Sequence, residues 1–163
     1  MEIMDIIKKR RSVRAFKEGE VPEIKLQLMV DAARMAPSGC NIQPIDYVIV
    51  RDKAKIQAFA KSQSFIGNAA AVIAVVADPT STWWAEDASA GIQNMLLVIS
   101  AMGYGACWVQ GAMAPHREEY EKLLKIPATK RLFALVPVGI SAASPTPPAK
   151  RSLQDVLKWE TYQ

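Results

Sequence analysis

The sequence predicts a layered domain in which helices cover a β-sheet. Helix-like and strand-like patterns alternate along the whole chain, as they do in such layered folds. The 163 residues suffice for one compact domain with its own core. No internal repeat is visible. Pattern alone leaves strand direction open.

The elements follow in order. Ile3, Met4, Ile6 and Ile7 precede the basic run from Lys8, which predicts a short amphipathic helix with a basic end. Val21–Pro22–Glu23 starts a second helix, with proline in the first turn and Glu23 at its positive end. Ile24, Leu28, Ala32 and Met35 recur there at helical spacing, until Pro37–Ser38–Gly39 opens a loop that runs to Pro44. Asp46 to Val50 is a strand by its branched and aromatic residues. Asp52 caps a helix to Lys61, and Ala71 to Val76 is a buried strand. The longest helix runs from about Ala85 to Met102 and ends at Gly103. Its nearly apolar second half predicts burial on most sides. Cys107 to Val109 is expected as a short strand, Pro115 to Lys125 as a surface helix with Tyr120, Leu123 and Leu124 inward, and Leu132 to Ile140 as a strong strand. Ser141 to Pro148 is too rich in proline for a helix or a central strand and should be extended. A short helix is expected over Ser152 to Leu157.

Composition narrows the function. Half of the residues are hydrophobic and 22% are charged, as in an ordinary globular domain. Ala69 to Ala77, the longest strongly apolar run, is too short for a membrane helix. The N-terminus has Glu2 and Asp5 and no apolar signal core, so a cytoplasmic protein is expected. One histidine, His116, rules out a zinc site built on two or three histidines within the chain, and its place at a helix start marks it as a surface residue. Cys40 and Cys107 form no close-spaced pair, so no metal site is expected. No nucleophile-elbow, P-loop or dinucleotide fingerprint occurs. Reactive chemistry, if present, belongs to a cofactor rather than to catalytic side chains.

Two segments carry candidate binding groups. Arg10, Arg11, Ser12 and Arg14 place three guanidinium groups and a hydroxyl within five residues, a good grip for a phosphate. A solvated helix end that complements the helix dipole is the alternative. The loop Ala36–Pro44 holds Asn41 and Gln43, whose amides both donate and accept and so suit a flat heterocycle. A polar turn is the alternative there.

Taken together, R-R-S-V-R near the N-terminus and A-P-S-G-x-N-x-Q-P after one helix resemble the nitroreductase family of flavoproteins. Ile92–Leu96, Gly103–Trp108, Val136–Gly139 and the basic pair Lys150–Arg151 continue the resemblance in order. It implies an α+β fold, a three-layer α/β/α sandwich with a central, mainly antiparallel sheet. It implies a homodimer with FMN at the subunit interface. Arg10, Arg11, Ser12 and Arg14 would hold the phosphate and ribityl end, joined by Lys150 or Arg151. Pro37, Ser38 and Gly39 would come from the partner chain, Asn41 and Gln43 would contact the ring, and Pro137, Val138 and Gly139 would line its other side. The family usually spaces its tail basic residues one apart, whereas here they are adjacent. The implied activity is an oxidoreductase using NADH or NADPH to reduce nitroaromatic, quinone or other small organic acceptors by a ping-pong exchange.

On this reading residues 1–140 form the FMN-binding domain and residues 141–163 an extended arm that packs on the partner subunit. Met95, Leu96, Val98 and Ile99 are expected to supply part of a dimer core. Trp83, Trp84 and Trp108 are candidates for substrate-facing aromatics, with packing as their alternative role. A non-catalytic FMN store or redox sensor, dehalogenation and flavin breakdown are alternatives on the same fold. Nucleic-acid binding is not expected, because no aromatic residues interleave the arginines.

Overall fold

The computed structural model describes residues 2–162. Five strands form one sheet: β1 (Phe16–Lys17), β2 (Ile45–Val50), β3 (Ala71–Ala77), β4 (Gly105–Ala106) and β5 (Arg131–Ser141). The order is β1-β5-β3-β2, with β4 also paired to β5. Every named pair is antiparallel. The helices are α1 (Ile3–Lys9), α2 (Glu23–Arg34), α3 (Lys53–Phe59), α4 (Trp84–Ala101), α5 (Arg117–Leu124) and α6 (Leu153–Val156).

The sheet separates two cores. On one face, Ile73 and Val75 of β3 and Val136 and Val138 of β5 pack against Leu26, Met29 and Ala33 of α2 and Ile92, Met95 and Ile99 of α4. On the other, Val72, Ala74, Val76, Leu132 and Leu135 meet Ile56 and Phe59 of α3, Ile66 and Tyr120 of α5. β3 is buried along its whole length, which its continuous apolar run requires. A bulge between Val75 and Val76 leaves Phe133 extra on β5. Consequently Phe133 and Ala134, neighbours in sequence, both enter the α2–α4 core. The result is the three-layer α/β/α sandwich with an antiparallel sheet.

Local chemistry accounts for the helix ends. Asp52 caps α3 by accepting from the Lys55 N–H at 2.9 Å. Gly103 ends α4 at φ 81, and the Tyr104 N–H closes onto the Ile99 carbonyl. Ser152 and Asp155 form a reciprocal capping box on α6.

The structure adds to or departs from the sequence reading at four places. The short strand lies at Gly105–Ala106 rather than Cys107–Val109, of which only Val109 makes an isolated bridge, to Leu135. Two-residue β1 carries no periodicity of its own; its pairing with the end of β5 creates it. The stripe Ile24, Leu28, Met35 on and just beyond α2 is exposed, at 60%, 42% and 68%, because the opposite face of the helix, with Leu26 and Met29, meets the sheet. In α4, Met95, Leu96 and Ile99 are buried in the chain's own core and so do not form a dimer core, while Gln93 is exposed and Leu97 and Val98 are half-buried.

Candidate functional site

The basic segment is laid along the free edge of β4. The Val13 N–H donates to the Ala106 carbonyl at 2.8 Å, and Ser12 bridges Ala106 in parallel register. Downstream, the Ala142 N–H donates to the Ala15 carbonyl, so the start of the C-terminal arm is tied to the same segment. Between segment and arm lies a cleft of about 590 Å³, lined by Lys8, Arg10, Arg11, Ser12, Arg14, Pro145–Pro148 and Lys150. Among the described residues, five cationic side chains line it and no carboxylate does. A second cleft of about 280 Å³ shares Arg11, Pro145 and Pro147 with it and continues to Ser100 and Tyr104.

The cations are not equivalent. Nη1 of Arg11 donates to the carbonyls of Lys8 (2.6 Å) and Arg10 (2.8 Å). Part of this guanidinium therefore closes the end of α1, and the helix-end role read from sequence is real for Arg11. Arg14 is exposed and Arg10 and Ser12 are half-buried. Of the adjacent tail pair, Lys150 lines the cleft, whereas Arg151 donates to the Asp155 carbonyl within the arm. Beneath the segment lies the buried Cys107 thiol. Burial pushes its pKa up, and nearby Arg14 and Arg10 pull the other way.

The polar loop is elsewhere. Pro37, Ser38 and Gln43 line a separate cleft of about 330 Å³ with Arg34, Tyr47 and Asp87. Three non-glycine residues in this loop are left-handed: Cys40 (φ 51), Asn41 (φ 56) and Gln43 (φ 55). Ser38 Oγ accepts from the Gln43 N–H at 3.1 Å, and Gly39 donates its N–H to Asp87 Oδ1 at 3.0 Å. Burial raises the Tyr47 phenol from 10.0 to about 12. Its hydroxyl fits because residue 91 is glycine: a Cβ there would lie 2.5 Å from it.

Pro137, Val138 and Gly139 are buried at the centre of the sheet. The Pro137 carbonyl accepts from Cys107 and the Val138 carbonyl from Ala70. Arg10, Arg11, Ser12, Arg14 and Lys150 thus come together, with Pro137–Gly139 just across β4 from Ser12 and Val13, while Pro37, Ser38 and Gln43 line a different cleft of the same chain.

Aromatic residues divide likewise. Trp84 and Trp108 pack on Phe133, with ring centroids at 5.6 and 6.2 Å. Trp83 is 42% exposed and covers Gly39. His116 is half-buried and stacks on Tyr120, so it is less exposed than a free helix start would make it. Asp87 was missed from sequence. A carboxylate in the first turn of α4 reads as an ordinary partner of the helix dipole, and nothing local announces its bond to a residue 48 positions away.

The fold and its clefts define an α+β sandwich with an anion cradle at the sheet edge. The chain belongs to the Nitroreductase family, whose model matches residues 7–63 and 54–140. A protein of Archaeoglobus fulgidus, provisionally named NADH dehydrogenase/NAD(P)H nitroreductase, is 30% identical over 149 residues, 85% of this chain and 84% of that one. A crystal structure from Bacteroides thetaiotaomicron with the same provisional name superposes with TM-score 0.91 at 30% identity, covering 98% of each chain. A provisionally assigned nitroreductase of Desulfovibrio desulfuricans, solved in complex with FMN, gives TM-score 0.86 at 25% identity, over 100% of this chain and 99% of that one. Among the described residues no helix is long and apolar enough to cross a membrane.

Proposed function

We propose that this protein is a homodimeric, FMN-dependent oxidoreductase that uses NADH or NADPH to reduce nitroaromatic, quinone or other small organic acceptors. The observation that carries the reading is the cleft of about 590 Å³ with five cations, a serine and no carboxylate. That donor set fits a phosphate ester with a polyol chain. Guanidinium groups fork onto phosphate oxygens, lysine adds a point charge, and the serine hydroxyl donates or accepts.

When bound, FMN supplies the hydride and electron chemistry between nicotinamide and acceptor. The chain's own residues bind and orient. Arg10, Arg14 and Lys150 neutralise the phosphate, Ser12 meets the ribityl end, and Arg11 contributes the part of its guanidinium left over from capping α1. Arg151 is assigned to the arm instead. Asn41 and Gln43 supply amides for the ring edge, with Pro37, Ser38 and Gly39 beside it. Pro137, Val138 and Gly139 form the opposite wall, and there backbone must serve at Val138 and Gly139, since the Val138 side chain is buried in the core under α2 and α4 and Gly139 has none.

The division of the site into two parts supports the dimer. Loop and cradle line different clefts of one chain, and a second copy would bring its loop to the first copy's cradle. Exposed Ile24, Leu28 and Met35, with Leu153, Val156, Leu157 and Trp159 of the arm, are the apolar groups such a pairing would cover. In this reading residues 1–140 are the flavin-binding domain and residues 141–163 the arm that embraces the partner. Its extended part spans roughly 25 Å at about 3.1 Å per residue, enough to cross to a neighbour.

Anaerobic mixing with each nicotinamide tests the activity. The 450-nm band of the bound flavin is expected to bleach without any acceptor present, and an acceptor added after removal of the nicotinamide should restore it. A band that returns only while both are present contradicts the ping-pong order. A band that never bleaches points to storage or sensing.

A further inference from the structure

We propose that Trp83 and Asp87, at the start of α4, are positioning residues that set the Ser38–Gln43 loop for its flavin contacts. The inference rests on the reading of that loop given above. Left-handed backbone at Cys40, Asn41 and Gln43 is unfavourable for residues with a Cβ, and persists only where the surroundings over-determine it. The loop's own bonds do part of this. Asn41 N–H donates to the Ser38 carbonyl at 2.9 Å and Ile42 N–H to the Gly39 carbonyl at 3.0 Å. Those bonds shape the loop but do not fix it to the domain.

Gly39 does fix it, twice. Its N–H donates to Asp87 Oδ1 at 3.0 Å. Its Cα lies against the Trp83 indole, so that a Cβ would sit 2.2 Å from Cε3 and 2.8 Å from Cδ2. Gly39 does not use the left-handed region, so it is contact with the indole, whose atoms are the nearest, that excludes a side chain there. The two anchors, the N-cap Trp83 and Asp87 in the first turn of α4, stand four residues apart, about one helical turn, and grip one residue from two directions.

Folding alone does not account for Asp87. The residue is only 8% exposed, and its Oδ2 is buried with no hydrogen-bond partner. A buried, half-satisfied carboxyl is a poor choice for stability. It is a good choice for holding one N–H in a fixed place. Trp83 is unusual in the same way, since 42% of its surface stays exposed while one face closes on Gly39.

The test measures FMN dissociation constants, visible circular dichroism of the bound flavin and melting of the flavin-free protein. The variants are Asp87→Ala, Asp87→Asn, Gly39→Ala, Trp83→Ala and the double variant Gly39→Ala/Trp83→Ala. Asp87→Ala and Gly39→Ala are expected to weaken FMN by about tenfold or more and to change the visible dichroism. Asp87→Asn keeps an acceptor oxygen and should stay near wild type in both. Removing the indole should relieve Gly39→Ala, so the double variant should bind no worse than Trp83→Ala alone. Asp87→Asn as weak as Asp87→Ala, or a Gly39→Ala defect that persists without the indole, overturns the inference while the flavin reading stands. Should Asp87→Ala fail to fold, the Gly39 and Trp83 pair decides alone. A wild-type chain that takes up no FMN overturns the reading itself and this inference with it.

Discussion

Gly105 lies directly under Val13: a Cβ on the glycine would come within 2.8 Å of both Cβ and Cγ1 of the valine. Gly105 belongs to β4, and the Val13 N–H bonds to the next residue of that strand, Ala106, at 2.8 Å. The close approach therefore sets the height of the whole Arg10–Arg14 segment over the sheet edge. Gly105→Ala is expected to lift that segment, at about 1–3 kcal/mol for overpacking, and to weaken FMN binding as well. Urea unfolding and a flavin titration of the same variant check this. A variant destabilised with unchanged FMN affinity would separate the packing from the cradle.

Arg14 is, with Lys8 and Lys150, one of the exposed cations of the cradle. A charge-assisted bond to phosphate contributes roughly 1.5–3 kcal/mol, so Arg14→Ala should raise the FMN dissociation constant by about ten- to a hundredfold with little loss of stability. Arg151→Ala serves as the control, because that guanidinium serves the Asp155 carbonyl, and should change affinity little. Fluorescence titration of both variants reads the difference; equal effects would move the tail contact from Lys150 to Arg151.

Tyr47 predicts an alkaline limb of stability. Burial raises its pKa from 10.0 to about 12, so the folded state holds the phenol proton more tightly than the unfolded chain does. This contribution is fully present below pH about 10 and is lost as pH rises towards 12. Denaturant midpoints measured from pH 9 to 12 should fall less steeply for Tyr47→Phe than for wild type. Parallel curves would show that the hydroxyl is not desolvated.

The two thiols should differ sharply. Cys40 is exposed and Cys107 buried, and burial holds Cys107 protonated against the pull of Arg14 and Arg10. Near pH 8 a thiol reagent should modify one cysteine quickly in the folded protein and the second only in denaturant. Two fast thiols would mean that the segment over Cys107 opens readily.

The arm carries the assembly prediction. Deleting residues 145–163 spares β5 and the Ala142 bond to Ala15, yet removes Leu153, Val156, Leu157 and Trp159, all exposed within one chain. The truncated protein is expected to sediment as monomer or aggregate and to lose flavin. A truncated dimer with full FMN affinity would leave the arm without a role in either.

The layered fold was legible because its two periodicities are long and clean. The run of β3 and the apolar turns of α4 fix which segments are buried, and the caps at Asp52 and Gly103 fix where helices end. What stayed hidden depends on neighbours distant in sequence. β1 exists only because β5 extends past Ile140 to pair with it. The Ile24–Leu28 spacing is as helical as that of Leu26 and Met29, and only the sheet decides which stripe turns inward. In the site, the basic segment was legible as a dense run of cations on one short segment. The division of labour between Lys150 and Arg151, and the grip of Asp87 and Trp83 on Gly39, were not, since each arises from contacts that periodicity cannot register.

The central claim is that the basic cleft holds FMN, and equilibrium binding of FMN to flavin-free protein tests it most directly. The account predicts a yellow complex with saturable uptake of roughly one FMN per chain, weakened by added salt as charge–phosphate contacts require. A folded protein that takes up no FMN, or whose uptake ignores both salt and Arg14→Ala, would contradict it.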